Sequence, residues 1–591
     1  MDKFTNYRSH RYRWFYKPAD EPLCAQISSS HSIPAPLAEV LIKRNIDDDT
    51  KINEYFETPL TALINPFEMK DMARGVERVR TALRNNESIC VFGDYDVDGV
   101  TATSLLYLFF LELGANVSYY IPNRLEEGYG LNIEAVEELA RRKINLIITV
   151  DCGISAVNEV AEAKRQGIDV VITDHHQPAE DLPTDAYAII NPMQADDTYP
   201  FKYLSGVGVA FKLIMGIRHT LRNDTSWEKP LPNIKQYLDI VTLGTIADVV
   251  PLNGENRTFV IHGLKVLAEG SVRPGINELK NVAGYNRQTL SASHIGFGLA
   301  PRINAVGRLG KSDRGIKLLV TNSKDEARRL AQELDNENRF RQEIEREILK
   351  DVYQKIDSED LAGKYGGLVL YSKDWHPGVL GIVASRVVDR YNRPTIVLTE
   401  ESELVKGSAR SIPNFHLYDG LKELSEILVS FGGHKYAAGL KIKPENIALL
   451  QERFDALVRG KLAAEDYIPE ILIDSFLKPA DINDNFMRVL QQFEPYGNSN
   501  KEPIFCMLGV EKYQEVAYVG KDSTHAKCVF IKDNTVYDAI GYDMLSYRDI
   551  LRQNSKFDLL FTLTYNSYGR NRNLQFVLKD LRVHEDGDKR S

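Results

Sequence analysis

The residues best suited to chemistry come in four short clusters. Asp94, Asp96 and Asp98 lie in GDYDVDG, Asp151 in VDCGIS, Asp174, His175 and His176 in TDHHQP, and Asp248 in LGTIADVVPL. Hard divalent cations such as Mn²⁺ and Mg²⁺ take carboxylate oxygens, Mn²⁺ accepts imidazole more readily, and a pair of ions needs about four or more acidic ligands with one shared. This set supplies that number, and paired cations of this kind hydrolyse phosphate esters. Taken singly, an aspartate after a strand is often a helix N-cap or turn residue. The reading rests on the whole set falling at strand ends.

A second group could hold an anion. PRINAVGRLGKSDRGIK carries Arg302, Arg308, Lys311, Arg314 and Lys317 against one acid, Asp313. The formal net charge is −10, which argues against a surface coated with positive charge for duplex DNA. A local basic groove is compatible with that sum, because carboxylates gathered around cations count as negative while behaving as neutralised.

These residues are positioned by alternating strands and helices. ICVF, VSYYI, LIITV and VVIT alternate with helical stretches through SLLYLFFLELG, IEAVEELARR and ISAVNEVAEAKRQG, which predicts a mostly parallel sheet with helices on both faces. Ligand sites in such sheets lie beyond the carboxyl ends of the strands. The candidate acids and histidines therefore share one edge.

From Ser323 to about Ile356 the chain is highly charged, with Leu330, Leu334, Ile344, Ile348 and Val352 as a narrow apolar stripe. Ser323 and Glu326 have capping-box spacing, and a long helix with so little apolar face usually bridges domains. A second α/β segment follows, with strands near GLVLY, TIVLT and LVKGSAR and helices around Leu380–Asp389 and Leu417–Ile427, ending at the glycine-rich FGGHKYAAGL. Beyond AAEDYIPE, Phe557, Leu559, Phe561, Leu563 and Tyr565 share one parity and Asn571–Val583 looks like their partner arm. That predicts a small β-barrel, either a structural domain or an aromatic-lined single-strand binder.

Hydrophobic residues make up 43% and charged residues 26% of the 591 positions, the balance of a globular protein with several domains. The longest strongly apolar run, Val100 to Leu111, is far shorter than the ~20 residues that span a bilayer. The basic, aromatic N-terminal segment lacks the apolar core of a signal peptide. Five scattered cysteines without a CxxC pair fit a reducing compartment and exclude a thiolate zinc site. The expectation is a cytoplasmic protein with no membrane partner.

GDYDVDG, VDCGIS, TDHHQP and LGTIADVVPL resemble the motifs of the DHH phosphoesterase superfamily, and WHPGVLGIVASR, GSARS and FGGHKYAAG resemble its DHHA1 companion domain. With SGVGVAFKL, PRINAVGRLG and the β-rich C-terminal region, the order along nearly the whole chain resembles the RecJ family of bacterial single-strand-specific 5′→3′ DNA exonucleases. The resemblance implies a DHH domain over 61–320 after an N-terminal segment 1–60, a connecting helix over 321–358, a DHHA1 domain over 359–460 and an OB-like single-strand-binding domain over 466–591. One departure is local. Where a glycine-asparagine-proline turn is expected, the chain reads Glu494-Pro495-Tyr496-Gly497-Asn498-Ser499-Asn500-Lys501-Glu502-Pro503.

The same resemblance implies two Mn²⁺ or Mg²⁺ ions held by Asp96, Asp98, Asp151, His175 and Asp248, with Asp151 as the bridge. Asp94 is then a weaker ligand or a neighbour of the ligands, and Asp174 orients an imidazole or backbone group. His176 faces the scissile phosphate, or is a buried hydrogen-bonded histidine. For the nucleic acid it implies Arg124, Arg302, Arg308, Ser408 and Arg410 on phosphate, with Gly432, Gly433 and His434 either approaching the backbone or making a tight turn. Trp375 and His376 stack on a base or pack. The implied substrate is single-stranded DNA in repair and recombination, with helicases and single-strand-binding proteins as partners of a monomeric chain. Two rivals remain at this stage: a DHH-family phosphodiesterase for short oligonucleotides or cyclic dinucleotides, and a non-catalytic single-strand-binding relative, which would be expected to have lost metal ligands.

Overall fold

The computed structural model describes residues 5–122, 127, 130–270, 273–286, 289–307, 313–520, 522–566 and 573–585. The chain forms two compact units, Glu54–Gln342 with Pro495–Lys501, and Met1–Asn53 with Glu343–Glu494 and Glu502–Ser591. No helix among the described residues is long and apolar enough to cross a membrane.

The first unit is built on β1 (Ile89–Gly93), α1 (Val97–Glu112), β2 (Val117–Tyr120), β3 (Leu146–Val150), β4 (Asp169–Thr173), β5 (Ala188–Ile190), α2 (Gly206–Asn223) and α3 (Leu238–Ala247). The five strands are parallel in the order β2-β1-β3-β4-β5. Alternate residues enter different cores. Ile89 and Val91 pack with α1 and α2, while Cys90 and Phe92 pack with Val136, Leu139 and Val160 on the other face. Burial on both faces is why β1, β3, β4 and β5 are nearly continuous apolar runs, whereas the edge strand β2 is only partly buried. Chain order reverses between β1 and β3, and the loops leaving these two strands diverge to open the crevice where ligands bind in such sheets.

A 35-residue helix, α4 (Lys324–Ser358), contributes to both units. Leu330 and Leu334 lie in the core of the first, and Ile348, Val352 and Ile356 in a core of the second. Only half of the expected capping box forms. Ser323 Oγ accepts the Glu326 N–H at 3.3 Å, but the Glu326 carboxylate accepts the Thr321 hydroxyl instead of the Ser323 N–H.

In the second unit, β6 (Leu368–Tyr371), α5 (Leu380–Tyr391), β7 (Thr395–Glu401), β8 (Leu404–Arg410), β9 (Leu428–Gly433) and β10 (Ala437–Ile442) give a mixed sheet ordered β9-β10-β8-β7-β6. Beyond it, β11 (Phe505–Lys512), β12 (His525–Lys532), β13 (Thr535–Gly541), β14 (Lys556–Asn566) and β15 (Asn573–Val583) close into a barrel through the β11–β12 pairing. The predicted pairing of the last two arms holds, with Phe557 opposite Val583 and Asn566 opposite Asn573. Phe561 and Phe576 stack 3.9 Å apart, fully buried. Phe557, Leu559, Phe561 and Leu563 of the stripe are therefore barrel core, and only Tyr565 at its end is partly exposed.

The basic, aromatic N-terminal segment belongs to this unit. Thr5–Arg8 and Arg13–Tyr16 form a three-stranded sheet with Glu470–Ile473, and Trp14 packs on Ile473, Cys506 and Leu560. Its indole N–H donates to Asp580, which also accepts the Tyr547 hydroxyl and the Leu581 N–H. Trp14→Phe keeps the bulk but removes one donor from a buried carboxylate and is expected to destabilise this unit by about 1–3 kcal/mol. Trp14→Ala adds a cavity and is expected to cost about 3–5 kcal/mol, both measured by urea unfolding.

Candidate active site

The GDYDVDG segment turns from β1 into α1. Asp96 is the N-cap of α1, its Oδ1 accepting the N–H groups of Asp98 at 2.9 Å and Gly99 at 3.1 Å. The capping role and the ligand role coexist, since ligand oxygens of Asp94, Asp96 and Asp151 lie within 4.8 Å of one another. A Cβ on Gly99 would come 2.5 Å from the Asp94 carbonyl oxygen, so only glycine lets the helix start this close to β1. Asp98 accepts the N–H groups of Gly206 at 2.6 Å and Val207 at 2.9 Å from the first turn of α2.

Asp151 follows β3 with φ +59°, a left-handed conformation uncommon outside glycine and frequent at functional sites. His175 Nε2 lies 3.1 Å from Asp151 Oδ1, 3.6 Å from Asp248 Oδ2 and 3.9 Å from Asp98 Oδ2. Ligand atoms of Asp98, His175 and Asp248 form one candidate cation group, and those of Asp151, His175 and His176 another. Asp248 corrects one expectation. It ends helix α3, not a strand, and caps it with its N–H on the Gly244 carbonyl.

Sequence reasoning missed the glycines that make room. A Cβ on Gly206 would lie 2.6 Å from Asp151 Cβ, and one on Gly244 2.8 Å from Asp98 Oδ1. The signal was partial: Gly244 stands four residues before Asp248 in LGTIAD, whereas SGVGV is a run of small residues with no acid beside it.

Asp174 accepts the N–H groups of Ile154, His175 and His176 and bonds His176 Nδ1 at 2.8 Å. Burial alone would raise its carboxyl, but the His176 bond and charge and these N–H groups hold it below the usual range. The His176 imidazole is 46% exposed. Burial lowers its pKa, while the Asp174 bond and the charges of Asp174, Asp98 and Asp96 outweigh this and raise it. It is held by a carboxylate and open to solvent, so the buried alternative fails.

The cluster fits hard cations on its own geometry. Burial, reinforced by Asp96, pushes Asp98 up to about 7, and burial with Asp98 and Asp96 pushes Asp248 up to about 9. Asp151 is raised well above its ordinary value by burial and by Asp98, Asp96, Asp248 and Asp174. Burial and His176 lower His175 to about 4, leaving the neutral imidazole that binds metal. His175 Nε2 and Asp248 Oδ2 are buried with no hydrogen bond among the described residues. Acids this close resist simultaneous ionisation unless a cation compensates.

The phosphate candidates divide. Arg124 and Arg308 lie outside the described residues. Arg302 is engaged internally, its Nε donating to Asp335 at 2.9 Å and its Nη1 to the Gly298 carbonyl at 2.6 Å. Arg314 pairs with Glu337 and Lys317 with Asp313. Of the basic residues expected to form a groove here, the three that are described each pair with an acid, α4 supplying those for Arg302 and Arg314, while Arg308 and Lys311 lie outside the described residues.

Arg410 and Ser408 lie on β8 in the second unit, the guanidinium donating to Ser408 Oγ at 3.3 Å and to the Ala409 carbonyl at 2.8 Å. Arg410 has no carboxylate partner among the described residues, and burial lowers its pKa. A Cβ on Gly381, in the first turn of α5, would lie 2.9 Å from Arg410 Nη2 and 3.1 Å from Ser408 Oγ. A guanidinium, a hydroxyl and a helix N-terminus converge there, the ingredients of an anion site.

At the GGH loop a Cβ on Gly433 would strike the Ala437 carbonyl oxygen at 2.3 Å, whereas Gly432 faces open space. Gly433 therefore serves the turn, closed by the His434 N–H on the Ala437 carbonyl. Trp375 is buried and donates to Asp351 at 2.9 Å, which settles its role as packing. His376 accepts the Gly378 N–H at 3.1 Å.

The site's protonation has a sign that can be measured. Unfolded aspartates titrate near ~4, so between that pH and the raised values of about 7 and 9 for Asp98 and Asp248 the folded chain holds more protons than the unfolded one. The contribution of these two groups to stability is then full below about pH 4 and is lost as pH rises to and through those values. The metal-free chain is expected to melt at progressively lower temperature from about pH 6 to about pH 9, with Asp248→Asn flattening the fall and Mn²⁺ reversing it. Scanning calorimetry across that range checks this, and a melting temperature with the same pH slope in Asp248→Asn would contradict it.

Residues 88–245 match the model of the DHH family N-terminal domain, residues 364–460 that of the DHHA1 domain, and residues 473–580 that of the RecJ OB domain. The single-stranded-DNA-specific exonuclease RecJ of Bacillus subtilis is 36% identical over 97% of this chain and 71% of its own length. That of Escherichia coli is 35% identical over 94% of this chain and 98% of its own. The crystal structure of RecJ from Thermus thermophilus in complex with Mn²⁺ superposes with a TM-score of 0.81 at 27% identity, covering 97% of this chain and 80% of that one. A Mg²⁺ complex from the same organism gives 0.74 at 25% identity, covering 97% of this chain and 78% of that one. Likeness of this extent runs through every segment, well beyond the acidic cluster, and the chain belongs to the RecJ family.

Proposed function

We propose that this chain is a metal-dependent exonuclease that hydrolyses single-stranded DNA from its 5′ end in repair and recombination. The observation that carries the reading is the cluster at the carboxyl edge of the sheet, in which Asp151 belongs to two of the three candidate cation groups and so suits a shared ligand. Asp96, Asp98, Asp151, His175 and Asp248 would hold two Mn²⁺ or Mg²⁺ ions, with Asp94 beside them. When bound, such ions lower the pKa of water and offset the charge that develops on a phosphate under attack. The rest falls to side chains. Asp174 orients His176 and favours its protonated form, and that ring faces the scissile phosphate. His175 stays neutral and keeps its ring nitrogen for coordination.

Polarity requires recognition of something internal phosphodiesters lack. Arg410, Ser408 and the first turn of α5 at Gly381 offer donors for the extra oxygens of a terminal 5′-phosphate. Gly432 leaves room for the strand, His434 follows it, and Arg124 and Arg308 are further phosphate contacts. We keep the division into a segment 1–60, a DHH domain 61–320, a helix 321–358, a DHHA1 domain 359–460 and an OB-like domain 466–591. The reading further includes a monomer in the cytoplasm, with helicases and single-strand-binding proteins as partners. A phosphodiesterase for short oligonucleotides gains nothing from a barrel matched by the RecJ OB model.

The test is purified protein with Mn²⁺ and single-stranded DNA labelled separately at each end. Early release of the 5′ label as mononucleotide is expected, and early release of the 3′ label would overturn the polarity. Asp151→Ala is expected to abolish hydrolysis while the circular dichroism spectrum is kept, and substantial activity with added Mn²⁺ would contradict the shared-ligand assignment. Arg410→Ala is expected to raise KM and erase the preference for 5′-phosphorylated ends, a loss of about 1.5–3 kcal/mol for a charge-assisted contact. Gly381→Ala, which pushes the guanidinium aside, is expected to do the same more weakly. An unchanged end preference in both would move the terminal-phosphate site elsewhere.

A further inference from the structure

The loop that follows Asp248 is restrained by residues 249 positions later in the chain. Val249 has φ +60°, where a β-branched residue is strained, and the residue is 65% exposed, so packing does not keep it there. The backbone does. Asn498 Nδ2 donates to the Val249 carbonyl at 2.7 Å, and the Asn498 carbonyl accepts the Leu252 N–H at 2.8 Å. Both bonds lie within the first unit, to which Pro495–Lys501 belongs.

Asn498 is presented by a tight reversal. Gly497 and Asn500 exchange N–H···O bonds of 2.9 and 3.2 Å, and Ser499 takes φ +57°. Asn500 is buried, its Nδ2 donating to the Pro495 carbonyl at 2.8 Å and its Oδ1 accepting the Tyr55 hydroxyl at 2.9 Å. A Cβ on Gly497 would lie 2.5 Å from Leu252 Cδ1, so the reversal sits hard against the loop it holds. This is the stretch where the chain departs from the expected glycine-asparagine-proline turn.

We propose that Pro495–Lys501 is a clamp for the cation site, with Asn498 as the positioning residue that holds the Val249 peptide left-handed and so aims the Asp248 carboxylate toward Asp98 and His175. Asp248 is the candidate ligand delivered by the C-terminal end of a helix, whereas Asp96 and Asp98 open one. Its direction depends on the path the chain takes immediately afterwards. The proposal rests on the reading of the acidic cluster as a metal site.

The test titrates the full-length chain with Mn²⁺, following free ion by electron paramagnetic resonance, with no nucleic acid present. Asn498→Ala removes the donor and Gly497→Val wedges the reversal off Leu252. Each is expected to weaken Mn²⁺ binding by about fivefold to tenfold and, in a separate assay, to lower kcat with KM for single-stranded DNA unchanged. Val249→Gly combined with Asn498→Ala is expected to regain most of the affinity, because glycine adopts this φ at no steric cost. Wild-type affinity in folded Asn498→Ala would overturn the clamp, and should Gly497→Val fail to fold, a double variant no tighter than Asn498→Ala would overturn it equally. A wild-type chain that takes up no Mn²⁺ would overturn the metal reading and the clamp with it.

Discussion

The structure turns on placing several carboxylates within a few ångströms of one another in a buried crevice. Desolvation and mutual repulsion both oppose this, as the raised values of Asp98, Asp151 and Asp248 record. The surroundings answer with oriented donors. The first turn of α1 takes Asp96, the first turn of α2 takes Asp98, and three backbone N–H groups take Asp174. Helix N-termini suit this task because their N–H groups lack partners within the helix and carry partial positive charge. Glycines at 99, 206 and 244 let those helices come close enough. A doubly wound parallel sheet supplies the geometry, since strand and helix ends converge where its chain order reverses.

The second unit uses the same elements for a different charge. Arg410 is partly buried beside Ser408 and the start of α5, an arrangement complementary to an anion as the acidic cluster is to cations. Arg302 and Arg314 are paired with acids of the long helix, which explains how a segment rich in arginine can serve the architecture of the unit.

Much of this was legible in the residues. The βα alternation located the sheet, its edge and the loops bearing Asp94 to Asp98, Asp151 and Asp174 to His176, because strands buried on both faces are unbroken apolar runs between helices with strong periodicity. The arms of the barrel followed from parity alone. What escaped was decided by tertiary packing. The aromatic stripe of β14 reads the same whether it lines a groove or fills a core, and closure of the barrel put Phe561 inside. Asp248 sits in an apolar stretch that periodicity does not assign to helix or strand. The role of the basic, aromatic N-terminal segment could not be read from its composition, because it is set by pairing with Glu470–Ile473, a contact spanning most of the chain. Asn498 could not be connected to Val249 from spacing, since a hydrogen bond over such a separation leaves no local pattern.

The central claim is that the acidic cluster holds two cations sharing one carboxylate. Anomalous diffraction from crystals of the full-length chain grown with Mn²⁺ measures this directly. The account predicts two peaks about 3.5–4 Å apart, both in contact with Asp151, one flanked by Asp98, His175 and Asp248 and the other by Asp94 and Asp96. A single peak, or peaks that leave Asp151 without a bond to both, would contradict it.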